Sequence, residues 1–159
     1  MSGPNDAEEP ITAAGLEELE RELEHLQTAG RQEIAERILA ARQLGDLKEN
    51  AEYHIAKDDQ AHLETRIKRL RERLRRAVVV DPDTSSSSLG FGRTADVVDE
   101  STGRLHTWTI VGAAEADVGQ GKLSAESPVA KALLGRAPGE SIEVHTPSGT
   151  RRYRIERLH

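Results

Sequence analysis

The stretch Gly45-Asp46-Leu47-Lys48-Glu49-Asn50 lies between two long apolar stripes of helical spacing, and the fold turns on how it is read. Gly45 suits the left-handed position just past a helix end, where the lack of a Cβ removes the steric penalty. Asp46 suits the N-cap of a following helix, and Glu49, three residues on, completes a capping-box spacing. One helix therefore ends and another begins with almost no linker. This predicts an antiparallel hairpin that reverses at 45–50.

Upstream, Thr12 can cap a helix whose apolar residues recur as Leu16, Leu19, Leu23 and Leu26. The stripe breaks near Thr28-Ala29-Gly30 and resumes with Ile34, Ile38 and Ala41. Downstream, Ala56, Leu63, Ile67, Leu70, Leu74 and Ala77 repeat at heptad-like spacing. Narrow stripes of this kind are what paired coiled-coil helices bury. Each arm has roughly 30 residues and spans about 45 Å at about 1.5 Å per residue. Charge supports the antiparallel pairing. The acidic run Glu17, Glu18, Glu20, Glu22 and Glu24 then faces the basic run from Arg66 to Arg76. The ordinary reading of those arginines is ion pairing or solvation rather than RNA binding.

After Ala77 the pattern changes. Val78-Val79-Val80 is a short β-branched run ended by Asp81-Pro82-Asp83, and Ser85 to Ser88 read as a short flexible stretch. Strands are expected at Thr94–Val98, Leu105–Val111, Ile142–His145 and Arg152–Ile155. Hairpin turns are expected at Thr102-Gly103 and Ser148-Gly149. A helix to Leu134 follows from Ser127 as N-cap, Pro128 in the first turn and Gly135 at the C-terminal end. The expected class is α+β: an N-terminal antiparallel two-helix coiled coil over 1–79, with its acidic tip at 45–50, then a small domain over 80–159 with a mostly antiparallel sheet.

Composition limits the function. A net charge of −6 argues against wrapping nucleic acid, which needs a basic surface to displace counterions. One Trp, two Tyr and one Phe supply little aromatic mass, which suits an elongated helical part joined to a modest β-rich part. No 18-residue apolar run predicts a membrane span, and MSGPNDAEEP has no apolar signal core. With no Cys there is neither a disulfide framework nor thiolate chemistry. A cytoplasmic protein is the simplest expectation. Scattered His residues show no metal-ligand spacing, and no Gly-rich phosphate loop or nucleophile motif is present.

The run GDLKENAEYH at 45–54, followed by Ala56 and Lys57, resembles the tip signature of the Gre family of bacterial transcript-cleavage factors. A second match is Ser127-Pro128-Val129-Ala130-Lys131-Ala132-Leu133-Leu134-Gly135, similar to that family's C-terminal segment. Thr109-Ile110-Val111-Gly112 sits where the family has a similar strand end, and the resemblance runs from about residue 11 onward. It implies a C-terminal domain of FKBP-like fold, and a factor that docks on the rim of the secondary channel of bacterial RNA polymerase. The coiled coil then enters the channel and reaches the 3′ end of backtracked nascent RNA.

On that resemblance Asp46 and Glu49 are the catalytic tip acids, holding Mg²⁺ jointly with the polymerase, and the free protein binds none. Arg42 and Lys57 fall on the family's RNA-contacting basic positions, and Glu126, Ser127 and Pro128 on its polymerase-docking loop. A self-paired hairpin needs no partner, so a monomer is expected when free. Departures from the family pattern are Ile55, where small residues are usual, Lys57 in place of an Arg, and Glu126 where Asp or Asn is familiar.

Plainer readings stand beside these. Asp46 and Glu49 can be a capping box and nothing more. His54 can carry a proton, but a lone His near a helix start is more often simply exposed. Tyr53 is expected to pack across the tip, and Trp108, in an alternating strand, to pack in the core. Two other functions compete with cleavage by an accessory factor that is not itself an enzyme. One is a channel-binding regulator or inhibitor that does not cleave. The other is an unrelated coiled-coil protein whose second domain acts as a prolyl isomerase or chaperone, the isomerase being disfavoured because Phe91, Trp108 and Tyr153 are few aromatics for a proline pocket.

Overall fold

The computed structural model describes residues 7–159, which divide into two compact units. One comprises Leu16–Ala77; the other comprises Val78–His159 together with Glu8–Gly15.

The first unit is the helical hairpin. Its first arm is α1 (Ala13–His25), a π-helical segment (Leu26–Gly30) and α2 (Arg31–Arg42); its second arm is α3 (Ala51–Arg76). The break expected near 28–30 is not an interruption. A heptad register running from Leu16 through Leu26 would continue at 30, 33, 37 and 40, whereas the apolar residues stand one place later, at Ile34, Ile38 and Ala41. One extra residue has entered the repeat, and a wide π-turn absorbs such an insertion without ending the helix. Gly30 keeps ordinary right-handed helical angles there, and Thr28 Oγ1 bonds back to the Glu24 carbonyl at 2.7 Å.

The arms pair as expected. Ile34, Ile38 and Ala56 form a buried cluster with Tyr53 and Leu63 against it, and Leu19, Ala41, Ile67 and Leu70 are also buried. Cross-arm ion pairs fix the antiparallel sense: Arg31 with Glu64 at 2.9 Å, Arg37 with Asp59 at 2.8 Å, and Arg66 with Glu22. The bond from Arg31 holds the Glu64 carboxyl below its ordinary range. These pairs are largely exposed, so apolar burial rather than charge holds the arms together.

In the second unit a five-stranded sheet runs in the order β5-β4-β3-β7-β6. Its strands are β3 (Thr94–Asp99), β4 (Leu105–Val111), β5 (Lys122–Ser124), β6 (Ser141–Thr146) and β7 (Gly149–Leu158). Only β4 and β5 pair in parallel. Alternation puts Ala95, Val97, Ile110, Ile142, Val144, Tyr153 and Ile155 into one core with Ala130 and Leu133 of α4 (Pro128–Leu133). Trp108 packs there too, edge-on to Tyr153 at 5.4 Å between ring centres and stacked on His106 at 4.6 Å. The Thr102-Gly103 and Ser148-Gly149 turns form as expected, both glycines having positive φ. A separate two-stranded sheet pairs β1 (Glu9–Ile11) with β2 (Ala77–Val79).

Two polar centres organise this unit. The Glu115 carboxylate accepts from the Thr12 N–H and the Gly112 N–H, each at 3.0 Å, and from the Thr12 hydroxyl. Thr12 Oγ1 in turn accepts from the Gly15 N–H at 3.1 Å and so caps α1. A Cβ on Gly15 would lie 2.0 Å from Glu115 Oε1, so any larger residue there would have to push the carboxylate aside. The second centre corrects the reading of Ser85–Ser88 as flexible. The buried Arg93 guanidinium donates to the carbonyls of Asp83, Thr84, Ser86 and Ser88 and to the His159 oxygen. The segment folds around a cation that takes up the carbonyls of Ser86 and Ser88 along with those of Asp83 and Thr84.

Candidate functional site

The hairpin reverses at the expected place, but its capping differs from the expected pattern. α2 ends at Arg42, the Leu44 N–H bonds to the Ala41 carbonyl at 3.1 Å, and Gly45 adopts φ +126°, a conformation that side chains disfavour. Asp46 is not the N-cap of α3. That helix begins at Ala51 with Asn50 as its cap, whose side-chain oxygen accepts from the Tyr53 N–H at 3.1 Å. Asn and Asp are equally good caps. Asn50 wins because its Nδ2 also reaches the Ala41 carbonyl, at 2.5 Å, across the reversal. No local pattern at Asp46 offers that second bond.

Without a capping role, the two acids stand in the open. Asp46 Oδ1 accepts from the Lys48 N–H at 3.0 Å, an Asx-turn. Glu49 has no hydrogen-bond or ion-pair partner among the described residues, and both side chains are exposed. The pair can therefore offer oxygen ligands or accept protons from something outside the hairpin. Among the described residues no group of three or more His, Asp or Glu side chains is placed to hold a metal ion, so a metal at this tip needs further ligands from another molecule.

The basic residues differ from each other. The Arg42 guanidinium lies 5.9 Å from the centre of the Tyr53 ring, which itself packs on the apolar cluster. Lys57, one turn along α3 from Tyr53, bonds Gln60 at 2.9 Å and is exposed. Residues four apart share a helix face, so Lys57 points the same way as the ring Arg42 covers. His54, exposed, directs Nε2 at the Lys48 carbonyl, 3.2 Å away. Sequence reading missed the apolar surface here: Leu39, Leu44, Leu47 and Ile55 are all exposed, and Ala40, Ala41, Leu44, Ile55 and Ala56 line a groove edged by Arg37 and Glu52. The signal was present, because Leu44, Leu47 and Ile55 lie off both heptad stripes.

In the second unit the loop before α4 is tightly made. Ser127 caps α4 by accepting from the Ala130 N–H at 3.2 Å, Pro128 occupies the first turn, and Gly135 takes φ +82° just beyond the helix. Glu126 donates its N–H to Ser124 Oγ at 3.1 Å and leaves its carboxylate exposed. Ser127 and Pro128 thus have a structural role whether or not the loop docks to anything.

Residues 9–79 match the family described as transcription elongation factor, N-terminal, and residues 84–159 that described as transcription elongation factor, GreA/GreB, C-term. The chain belongs to the GreA/GreB family of transcription elongation factors. Among its relatives, transcription elongation factor GreA of Nautilia profundicola is 48% identical over 151 residues, covering 94% of this chain and 93% of that protein. GreA of Jannaschia sp. is 46% identical, covering 94% and 96%, and GreA of Bacillus subtilis 44%, covering 94% and 95%. The resemblance first carried by the tip and by the 127–135 segment therefore extends over nearly the whole chain. Among the described residues no helix is long and apolar enough to cross a membrane.

Proposed function

We propose that this elongation factor enters the secondary channel of bacterial RNA polymerase and lends Asp46 and Glu49 to the polymerase's own metal centre, stimulating hydrolytic cleavage of backtracked RNA. The observation that carries the reading is the pair of unencumbered carboxylates on a glycine-made reversal at the end of a paired helical rod. A recessed site can be reached by such a rod and not by a globular surface. The exposed Leu39, Leu44, Leu47 and Ile55 support it as well. That much apolar surface beside a charged tip suits an end that is enclosed by protein when it works.

The donor set fits Mg²⁺, which takes one or two carboxylates, keeps several waters and draws its other oxygens from elsewhere. Asp46 and Glu49 would hold it together with groups of the polymerase. Bound there, the ion supplies positive charge that acidifies water and neutralises oxygens of the phosphodiester. The chain's own share is positional. The two acids would bring carboxylate oxygens to that metal centre, and their exposed oxygens can orient a water by hydrogen bonding. Lys57, and Arg42 once it leaves Tyr53, would meet RNA phosphates, contacts that position without reading sequence. Glu126, Ser127 and Pro128 form the docking loop in this reading. The factor acts as a monomer in the cytoplasm and completes an active site without owning one.

The test is a defined backtracked elongation complex incubated with and without the protein, scored for short RNA released from the 3′ end. Wild type should stimulate that release, whereas Asp46→Ala and Glu49→Ala should bind polymerase and release no more than polymerase alone. Inhibition of synthesis without released RNA would instead identify a non-cleaving channel regulator.

A further inference from the structure

The segment from Gln43 to Asn50 carries the working acids yet lacks helical hydrogen bonding, so something must set its shape. We infer that Asn50 and His54 are the positioning residues of the tip: Asn50 ties the end of α2 to the start of α3, and His54 fixes the peptide on which both acids depend. The inference rests on the reading that Asp46 and Glu49 are the groups that act.

The bonds form one connected frame. Asn50 Nδ2 donates to the Ala41 carbonyl at 2.5 Å while its Oδ1 accepts from the Tyr53 N–H at 3.1 Å. Ala41 is only 3% exposed and Asn50 is half-buried, so the first of these bonds is partly sheltered from water, which raises the cost of breaking it. Lys48 is held from both sides through its backbone. Its N–H donates to Asp46 Oδ1 at 3.0 Å, and its carbonyl faces His54 Nε2 at 3.2 Å. A carbonyl only accepts, so His54 presents Nε2 with its proton on. The Lys48 carbonyl belongs to the peptide joining Lys48 to Glu49, and Asn50 follows at once. Glu49 is therefore bracketed by two anchored neighbours, and Asp46 is oriented through the same Lys48. The frame restrains the backbone of both acids and leaves Glu49 and one Asp46 oxygen free.

Substitutions can separate this role from plain helix capping. Asn50→Asp keeps an oxygen for the Tyr53 N–H, and so keeps the cap, but sets a carboxylate oxygen against the Ala41 carbonyl. His54→Ala deletes the Lys48 bond, and His54→Gln restores a donor on a flexible stem. The first measurement is amide hydrogen exchange on the free full-length protein. Asn50→Asp and His54→Ala should speed exchange across 44–50 by about tenfold or more, with α3 beyond Ala56 unchanged. The second is cleavage of the backtracked complex at saturating factor. Both variants should lose about tenfold or more of the maximal rate with the half-saturating concentration unchanged, because small misplacements of reacting groups cost that much. His54→Gln should recover most of the loss.

Wild-type exchange across 44–50 in both variants overturns the frame. Faster exchange with wild-type cleavage overturns its role in placing the acids. Wild-type protein that releases no RNA sinks the cleavage reading instead, and the exchange arm still judges the frame. Should Asn50→Asp fail to fold, the His54 pair decides alone.

Discussion

Two polar loops of this molecule are built on opposite plans. The tip loop, 43–50, is held by bonds at its edges, from Asn50 to the Ala41 carbonyl and from His54 to the Lys48 carbonyl, while its acids point outward. The serine loop, 84–88, is held from its centre, where the buried Arg93 guanidinium collects backbone carbonyls. In the first, the frame frees the side chains. In the second, one side chain satisfies the backbone and the loop offers little else. A loop that presents its side chains and a loop that only closes on itself can thus differ in where their anchors lie.

Arg93→Met should show the largest effect. It removes a buried guanidinium that bonds the carbonyls of Asp83, Thr84, Ser86 and Ser88 and is expected to cost about 3 kcal/mol or more in urea unfolding. A loss below about 1 kcal/mol would mean that water replaces the guanidinium and that the two loops are less different than they look. Gly45→Val comes next, at about 1–3 kcal/mol, because φ +126° strains any β-branched residue. Its Cβ would meet nothing within 4 Å, so the loss would report backbone strain and not a clash.

A smaller effect is expected from acid. Burial alone pushes the Asp99 carboxyl up, but the Ser101 N–H and the Arg151 guanidinium outweigh it and hold the group below its ordinary value. Asp99 therefore stabilises the fold above its unfolded pKa, about 3.9, and that contribution fades as pH falls through the lower folded value. Asp99→Asn should be the less stable protein at neutral pH and converge on wild type in strong acid. Parallel pH curves would rule the group out. Smallest of all, Asp46→Ala and Glu49→Ala should shift unfolding by no more than about 0.5 kcal/mol, since both side chains are exposed and only Asp46 gives up a bond, the exposed one from the Lys48 N–H. A larger shift in thermal melting would make them structural residues after all.

What was legible in the sequence followed local rules. The reversal at Gly45, the two apolar stripes, the Ser127 cap and the alternating strand Leu105–Val111 are each specified within a few residues of themselves. What was hidden depends on partners far along the chain. Asp46 and Asn50 are equal candidates for a cap, and only the bond to Ala41 separates them. Ser85–Ser88 have the composition of a linker, and nothing near them says that a guanidinium will be buried there. β5 is three residues long, and its parallel pairing with β4 leaves no period to read. The candidate acids were visible as a motif, whereas their freedom from capping duty was not.

The π-turn at Leu26–Gly30 works as a phase shifter. Its extra residue resets the angular register of the first arm before Ile34, so the half of the hairpin that bears the tip keeps its own seam whatever the repeat does upstream. Removing one residue from 26–30 should convert the π-turn to ordinary α-helix and leave an unbroken heptad from Leu16 through Ala41, with Ile34, Ile38 and Ala41 still facing Ala56 and not a single residue of the tip altered.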